Sequence, residues 1–210
     1  MRRLIYIPVI HTELEMGSVA LWLKEEYILK FGEEKWEEHL KLVKEMWQWV
    51  KTTIKGLKLT YEKVRIYQDG LPLCGKELDI VQKLAERGSI NYKIILELIN
   101  KGAKLEGTES KELLLEEYNN IKNITTTSSK KEYKEESKQL LIRRDRYIAN
   151  RINKTLRRDE IGILFIGSEH KVYKYLFKDI KIALPTSLAF ASETFRVNFL
   201  FLVIVYSLLL

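Results

Sequence analysis

Residues 161–167 read Ile-Gly-Ile-Leu-Phe-Ile-Gly, a run without one polar side chain. Seven residues make a poor helix, and the run lacks the polar alternation of a half-exposed strand. It reads as a strand buried on both faces, the kind found inside parallel sheets with helices on each side. It stops at Gly167, and Ser168, Glu169 and His170 follow at once. A second apolar run, residues 3–10, ends in a related way, at His11 with Glu13 close by. Two of the three histidines therefore follow the two most strand-like segments.

Other strand candidates are residues 63–67, 103–106 and 179–184. Pro8 sits awkwardly in the first strand, because proline lacks the ladder donor. Between the strands lie helical stretches at about 18–55, 76–87, 90–101, 110–121 and 138–157, and KVYKYLF after His170 reads as one more. Gly32 divides the first stretch. Beyond it Trp36, Leu40, Val43, Trp47, Val50 and Ile54 form one apolar stripe at helical spacing, which assigns the tryptophans to packing rather than to base stacking. Strands alternating with helices predict an α/β fold: a mostly parallel sheet of about four or five strands flanked by helices. Residues 1–184 form a single domain in this reading, with a polar loop at about 122–137. The apolar tail, residues 185–210, is an anchor or a core segment. Its most apolar part, residues 197–210, is shorter than the roughly 20 residues of a membrane span.

In a parallel sheet every strand ends on the same edge, where ligands bind. His11, Glu13, Asp69, Glu106, Glu109, Glu169 and His170 all lie at or just beyond strand ends. Histidines and carboxylates gathered on one rim can hold a divalent metal or share acid–base work. Each also has a plainer role. Asp69 in QDGLP suits a turn, Thr108 suits a helix cap with Glu109 near the helix dipole, and His39 suits a solvated helix face. His170 can bond a backbone carbonyl, and Arg144 can pair with a neighbouring Glu.

The net charge is +7, yet Lys and Glu alternate along most of the chain, so the excess is not one basic stripe. Nucleic acid is therefore an unfavoured partner; such a role would fall to Arg143, Arg144, Arg146, Arg157 and Arg158. A lone cysteine, Cys74, excludes an intrachain disulfide and fits a reducing compartment, and no signal peptide is recognisable. The expected location is cytoplasmic, with membrane contact through the tail as a further reading. No P-loop, dinucleotide-type glycine turn or G-x-S-x-G elbow is present.

Residues 143–152, RRDRYIANRI, followed by the strand and by Gly167-Ser-Glu-His170, resemble the C-terminal half of the TraB, Tiki, ChaN and erythromycin-esterase-like superfamily. The resemblance covers roughly residues 138–182. Members carry an Arg-Asn or Arg-Asp pair on a helix, matched by Arg144-Asp145, and then a strand ending in G-x-x-H, matched by Gly167 and His170. They also carry an early G-x-x-H and a Glu at the end of a middle strand, for which His11 and Glu106 stand here. The early motif reads Pro8-Val-Ile-His11, and Arg143 replaces the usual Glu. The resemblance implies a rim with His11, Glu106 and His170 as metal ligands and Glu106, Arg144 and His170 as catalytic groups. The metal would be divalent and the reaction hydrolysis of an ester or amide bond in a small-molecule or peptide ligand. The alternative is a ligand-binding or regulatory protein without catalysis.

Overall fold

The computed structural model describes residues 1–10, 20–124 and 130–183. Strand β1 (Arg2–Val9) leads to helices α1 (Ala20–Phe31) and α2 (Glu33–Gly56), then to β2 (Val64–Gln68). Helices α3 (Glu77–Glu86) and α4 (Ile90–Asn100) precede β3 (Lys104–Glu106). Helices α5 (Lys111–Ile124) and α6 (Lys130–Thr155) then precede β4 (Ile161–Gly167), and β5 (Ile180–Ala183) comes last. All strands are parallel, in the order β3-β2-β4-β1-β5. The α/β fold with a parallel sheet of four or five strands is therefore what the chain adopts.

The run IGILFIG lies at the centre of this sheet, between β1 and β2, with its inner residues buried. Its side chains alternate between two cores. Ile163 and Phe165 join Ile5, Ile7 and Val9 under Val43, Trp47 and Val50 of α2 and Ile95 and Leu98 of α4. Leu164 and Ile166 join Leu4 and Tyr6 under Ile148, Ala149 and Ile152 of α6. Pro8 is tolerated for a simple reason. The Arg2 N–H points to Asp179 on the β5 side, so the period of two aims position 8 the same way. Among the described residues, pairing between β1 and β5 runs from Arg2–Ile180 to Ile5–Ala183, so the missing donor deprives no described strand.

Several local expectations need correction. The polar loop at about 122–137 is mostly helix, because α5 runs to Ile124 and α6 begins at Lys130. KKEYKEESKQ is polar, yet its Lys, Glu and Gln residues are good helix formers. KVYKYLF makes only a short 3-10 turn, Val172–Tyr175. His39 is buried, at 3% exposure, while Leu40 is 44% exposed. The rest of the stripe on α2 is buried as expected; only the position at 40 gives way to 39, where α1 folds back on the helix. His39 stacks on Trp36 at 5.2 Å and lies 5.3 Å from the Tyr27 ring of α1. Gly32, at φ 89°, joins these two helices in a conformation that favours glycine. The apolar tail lies outside the described residues; within them, no helix is long and apolar enough to cross a membrane.

Two predictions follow from the packing. A Cβ on Gly162 would lie 2.6 Å from Leu4 Cδ1 and 3.3 Å from Leu156 Cδ2, in the layer beneath α6. Gly162→Ala is expected to destabilise the protein by about 1–3 kcal/mol, read as a lower urea midpoint with an unchanged slope. Burial pushes the His39 pKa down from 6.5 to about 4, so the unfolded chain takes the proton first. The neutral-histidine contribution is complete above pH 6.5 and falls by up to about 3 kcal/mol as pH drops to about 4. His39→Phe keeps the stack and should flatten that part of the stability profile; parallel profiles for the two proteins would disprove it.

Candidate metal centre

The crossovers decide where the strand ends meet. The connections β1 to β2 and β2 to β3 step one way and carry α2 and α4 over one face. The connections β3 to β4 and β4 to β5 step back, with α6 and the Val172 turn over the other face. The chain therefore leaves the adjacent strands β2 and β4 towards opposite faces. This is a topological switch point, the place where open α/β sheets form a crevice.

Asp69 follows β2 directly, and His170 lies three residues beyond β4. Glu109, between β3 and α5, reaches the same spot. Side-chain donor atoms of Asp69, Glu109 and His170 all lie within 4.8 Å of one another. The three residues are 4%, 0% and 6% exposed. Each is fixed by its backbone. The Asp69 N–H donates to the Phe165 carbonyl at 2.9 Å, and the Gly167 N–H donates back to Asp69 Oδ2 at 3.0 Å. The Glu109 N–H donates to the Leu71 carbonyl at 3.0 Å. Behind Asp69, buried Gln68 donates to the Asp69 carbonyl at 2.8 Å and accepts from Asn91 Nδ2 at 3.0 Å.

The Arg144-Asp145 pair on α6 completes the cluster. Arg144 Nη2 donates to Asp69 Oδ1 at 2.8 Å and to Glu109 Oε1 at 2.6 Å, while Nη1 bonds Glu117 of α5. Asp145 turns to the histidine: Oδ1 lies 2.7 Å from His170 Nδ1, and Oδ2 accepts the Lys171 N–H at 2.8 Å. His170 Nε2 then points at Asp69 Oδ2, 3.4 Å away. Tyr6, kept protonated by burial, donates to the His170 carbonyl at 3.1 Å.

The electrostatics follow from this packing. Burial alone would discharge Arg144, but Glu109 and Asp69 outweigh it and hold the guanidinium above its ordinary pKa. Burial likewise opposes a charged His170, and Asp69 and Asp145 outweigh it, so its pKa is raised above 6.5. Burial raises the Glu109 pKa despite the adjacent Arg144.

A divalent cation suits this donor set. One imidazole nitrogen and two carboxylates are ligands for zinc, manganese or iron. The carboxylate on the far ring nitrogen is the outer partner that orients metal-binding histidines. Three buried carboxylates beside one guanidinium also leave negative charge for a cation to neutralise.

Of the residues expected at the site, Arg144 and His170 meet here. Glu106 does not join them: it pairs with Arg65 and, at 3.2 Å, with Arg151. His11 lies outside the described residues. Asp69 and Glu109 had been given turn and helix-terminus roles, yet both turn inward to Arg144. Nor is Thr108 the cap of α5, since its hydroxyl accepts the Gln68 N–H and Ser110 Oγ accepts the Leu113 N–H. Glu169 is exposed, and so is Cys74. No protein-family model, curated protein or solved structure matches the chain, so the resemblance rests on the motif residues alone.

The raised His170 pKa makes a direct prediction. Charged His170 stabilises the fold below pH 6.5, and that contribution is lost as pH rises through its higher folded value. In an NMR titration its ring protons should report a pKa above 6.5, and Asp145→Asn should lower it. An unchanged value in Asp145→Asn would show that Asp145 does not hold the imidazolium.

Proposed function

We propose that the protein is a divalent-metal-dependent hydrolase of ester or amide bonds in a small-molecule or peptide ligand, related to the TraB and erythromycin-esterase-like superfamily. The observation that supports this most is the convergence of Asp69, Glu109 and His170 from behind three different strands onto one switch point. A bound cation supplies a Lewis acid for the scissile carbonyl and acidifies water at neutral pH. The chain's own groups do the rest. Asp145 holds the Nδ1 side of His170, so Nε2 faces the cluster. Glu109 takes the part of a further ligand, which the resemblance gives to Glu106. Arg144 supplies a permanent positive charge at the rim for the oxyanion that develops.

One observation favours a reading without catalysis, in which the cluster is structural. Every cluster side chain is 6% exposed or less, and the N–H bonds of Arg144 all end on carboxylates. Buried ion networks of this kind also serve purely to fix a fold.

Metal content of the purified full chain separates the two, measured beside Asp69→Asn and His170→Ala. The hydrolase reading predicts near-stoichiometric metal in the parent, loss in both variants, and ester or amide turnover that follows the metal. Three folded proteins without metal affinity would overturn it.

A further inference from the structure

We infer that Arg144 is a resident competitor of the cation: its guanidinium holds Asp69 and Glu109 together and withholds their oxygens until a dication displaces it. The inference rests on the cation reading above and concerns how that same site is controlled. Arg144 Nη2 bridges Asp69 Oδ1 at 2.8 Å and Glu109 Oε1 at 2.6 Å. Its Nε lies 3.2 and 3.4 Å from the two Glu109 oxygens. Both oxygens of Glu109 and one of Asp69 therefore face a single guanidinium. The remaining oxygen, Asp69 Oδ2, already accepts the Gly167 N–H at 3.0 Å. A carboxylate has about four lone-pair sites, so a cation and this guanidinium draw on the same few.

The charge balance points the same way. Asp69, Glu109 and Asp145 surround one guanidinium and one imidazole. With His170 neutral, a dication and Arg144 together cancel the three carboxylates. Without Arg144 the empty pocket is more negative and the oxygens that Arg144 held are released, so a dication binds more tightly. The guanidinium also has somewhere to go. Its Nη1 is bonded to Glu117 on α5, whose side chain is 38% exposed against 0% for Glu109. That carboxylate is an acceptor on the solvent side, to which the guanidinium can shift when the inner pair is taken.

Arg144→Met removes both charge and fork. Arg144→Lys keeps the charge but lacks the planar fork that spans two carboxylates, and it carries the test if the Met protein does not fold. Mn²⁺ and Zn²⁺ are titrated separately into the full chain by calorimetry, into the parent, both Arg144 variants, Asp69→Asn and His170→Ala. The expected result is binding roughly tenfold tighter or more in Arg144→Met, with Arg144→Lys between it and the parent. The Met protein should also gain more in melting temperature on adding metal. Equal or weaker binding in the folded Arg144 variants, with binding abolished in Asp69→Asn and His170→Ala, would overturn the competition and leave the metal site standing. Absence of binding in every protein, or binding indifferent to Asp69 and His170, would overturn both.

Discussion

The rim of this sheet depends on one guanidinium. Arg144 reaches from α6 to the residue after β2 and to the segment after β3, and so ties three parts of the chain to one planar group. A buried charge of either sign is expensive unless it is paired and hydrogen-bonded, and here each partner makes the other tolerable. Removing one member of such a set commonly costs about 3–5 kcal/mol, because the others stay buried without compensation. That cost explains why the ends of β2 and β3 meet α6 in a single arrangement. It also couples the fold to whatever the rim binds, since any ligand that takes an oxygen from Arg144 acts on the joint between sheet and helix.

A second ion network, set below the rim, supports the first. Arg65 of β2 pairs with Glu106 of β3 and with Glu160 just before β4, and Arg151 of α6 bonds Glu106 and the Gly107 carbonyl. Arg144 and Arg151 are seven positions apart on α6, two helical turns, and so lie along one face of that helix. One arginine faces the mouth and the other the strands, and each engages carboxylates that apolar packing alone would not accept.

Much of this was legible in the sequence. Apolar runs of strand length, separated by amphipathic stretches, implied the parallel sheet, and the shared direction of its strands placed the acids and His170 on one edge. The choice between Glu106 and Glu109 was not legible. Glu106 is inside β3, where the alternation of side chains directs it under α6 to Arg65 and Arg151. Glu109 lies beyond the strand and is free of that alternation. A shift of three residues decided the matter, and no spacing rule resolves it without the register Tyr67–Glu106. His39 was misread for a related reason: its neighbour Tyr27 belongs to another helix, and the pattern along α2 alone carries no trace of that contact.

The strand order has a consequence for how the chain reaches this state. Strand β4 lies between β1 and β2, although it comes almost a hundred residues after β2 in the chain. Before residues 161–167 arrive, β1 and β2 have no neighbour in common. In the finished sheet they stand two strand spacings apart, about 9.6 Å, joined only through β4. Long-range pairings of this kind are slow to form, and until β4 pairs, the edges of β1 and β2 that it covers lack their partner. Strand β4 also delivers Gly167 and His170 to the rim, so the site waits on the same strand that joins β1 to β2.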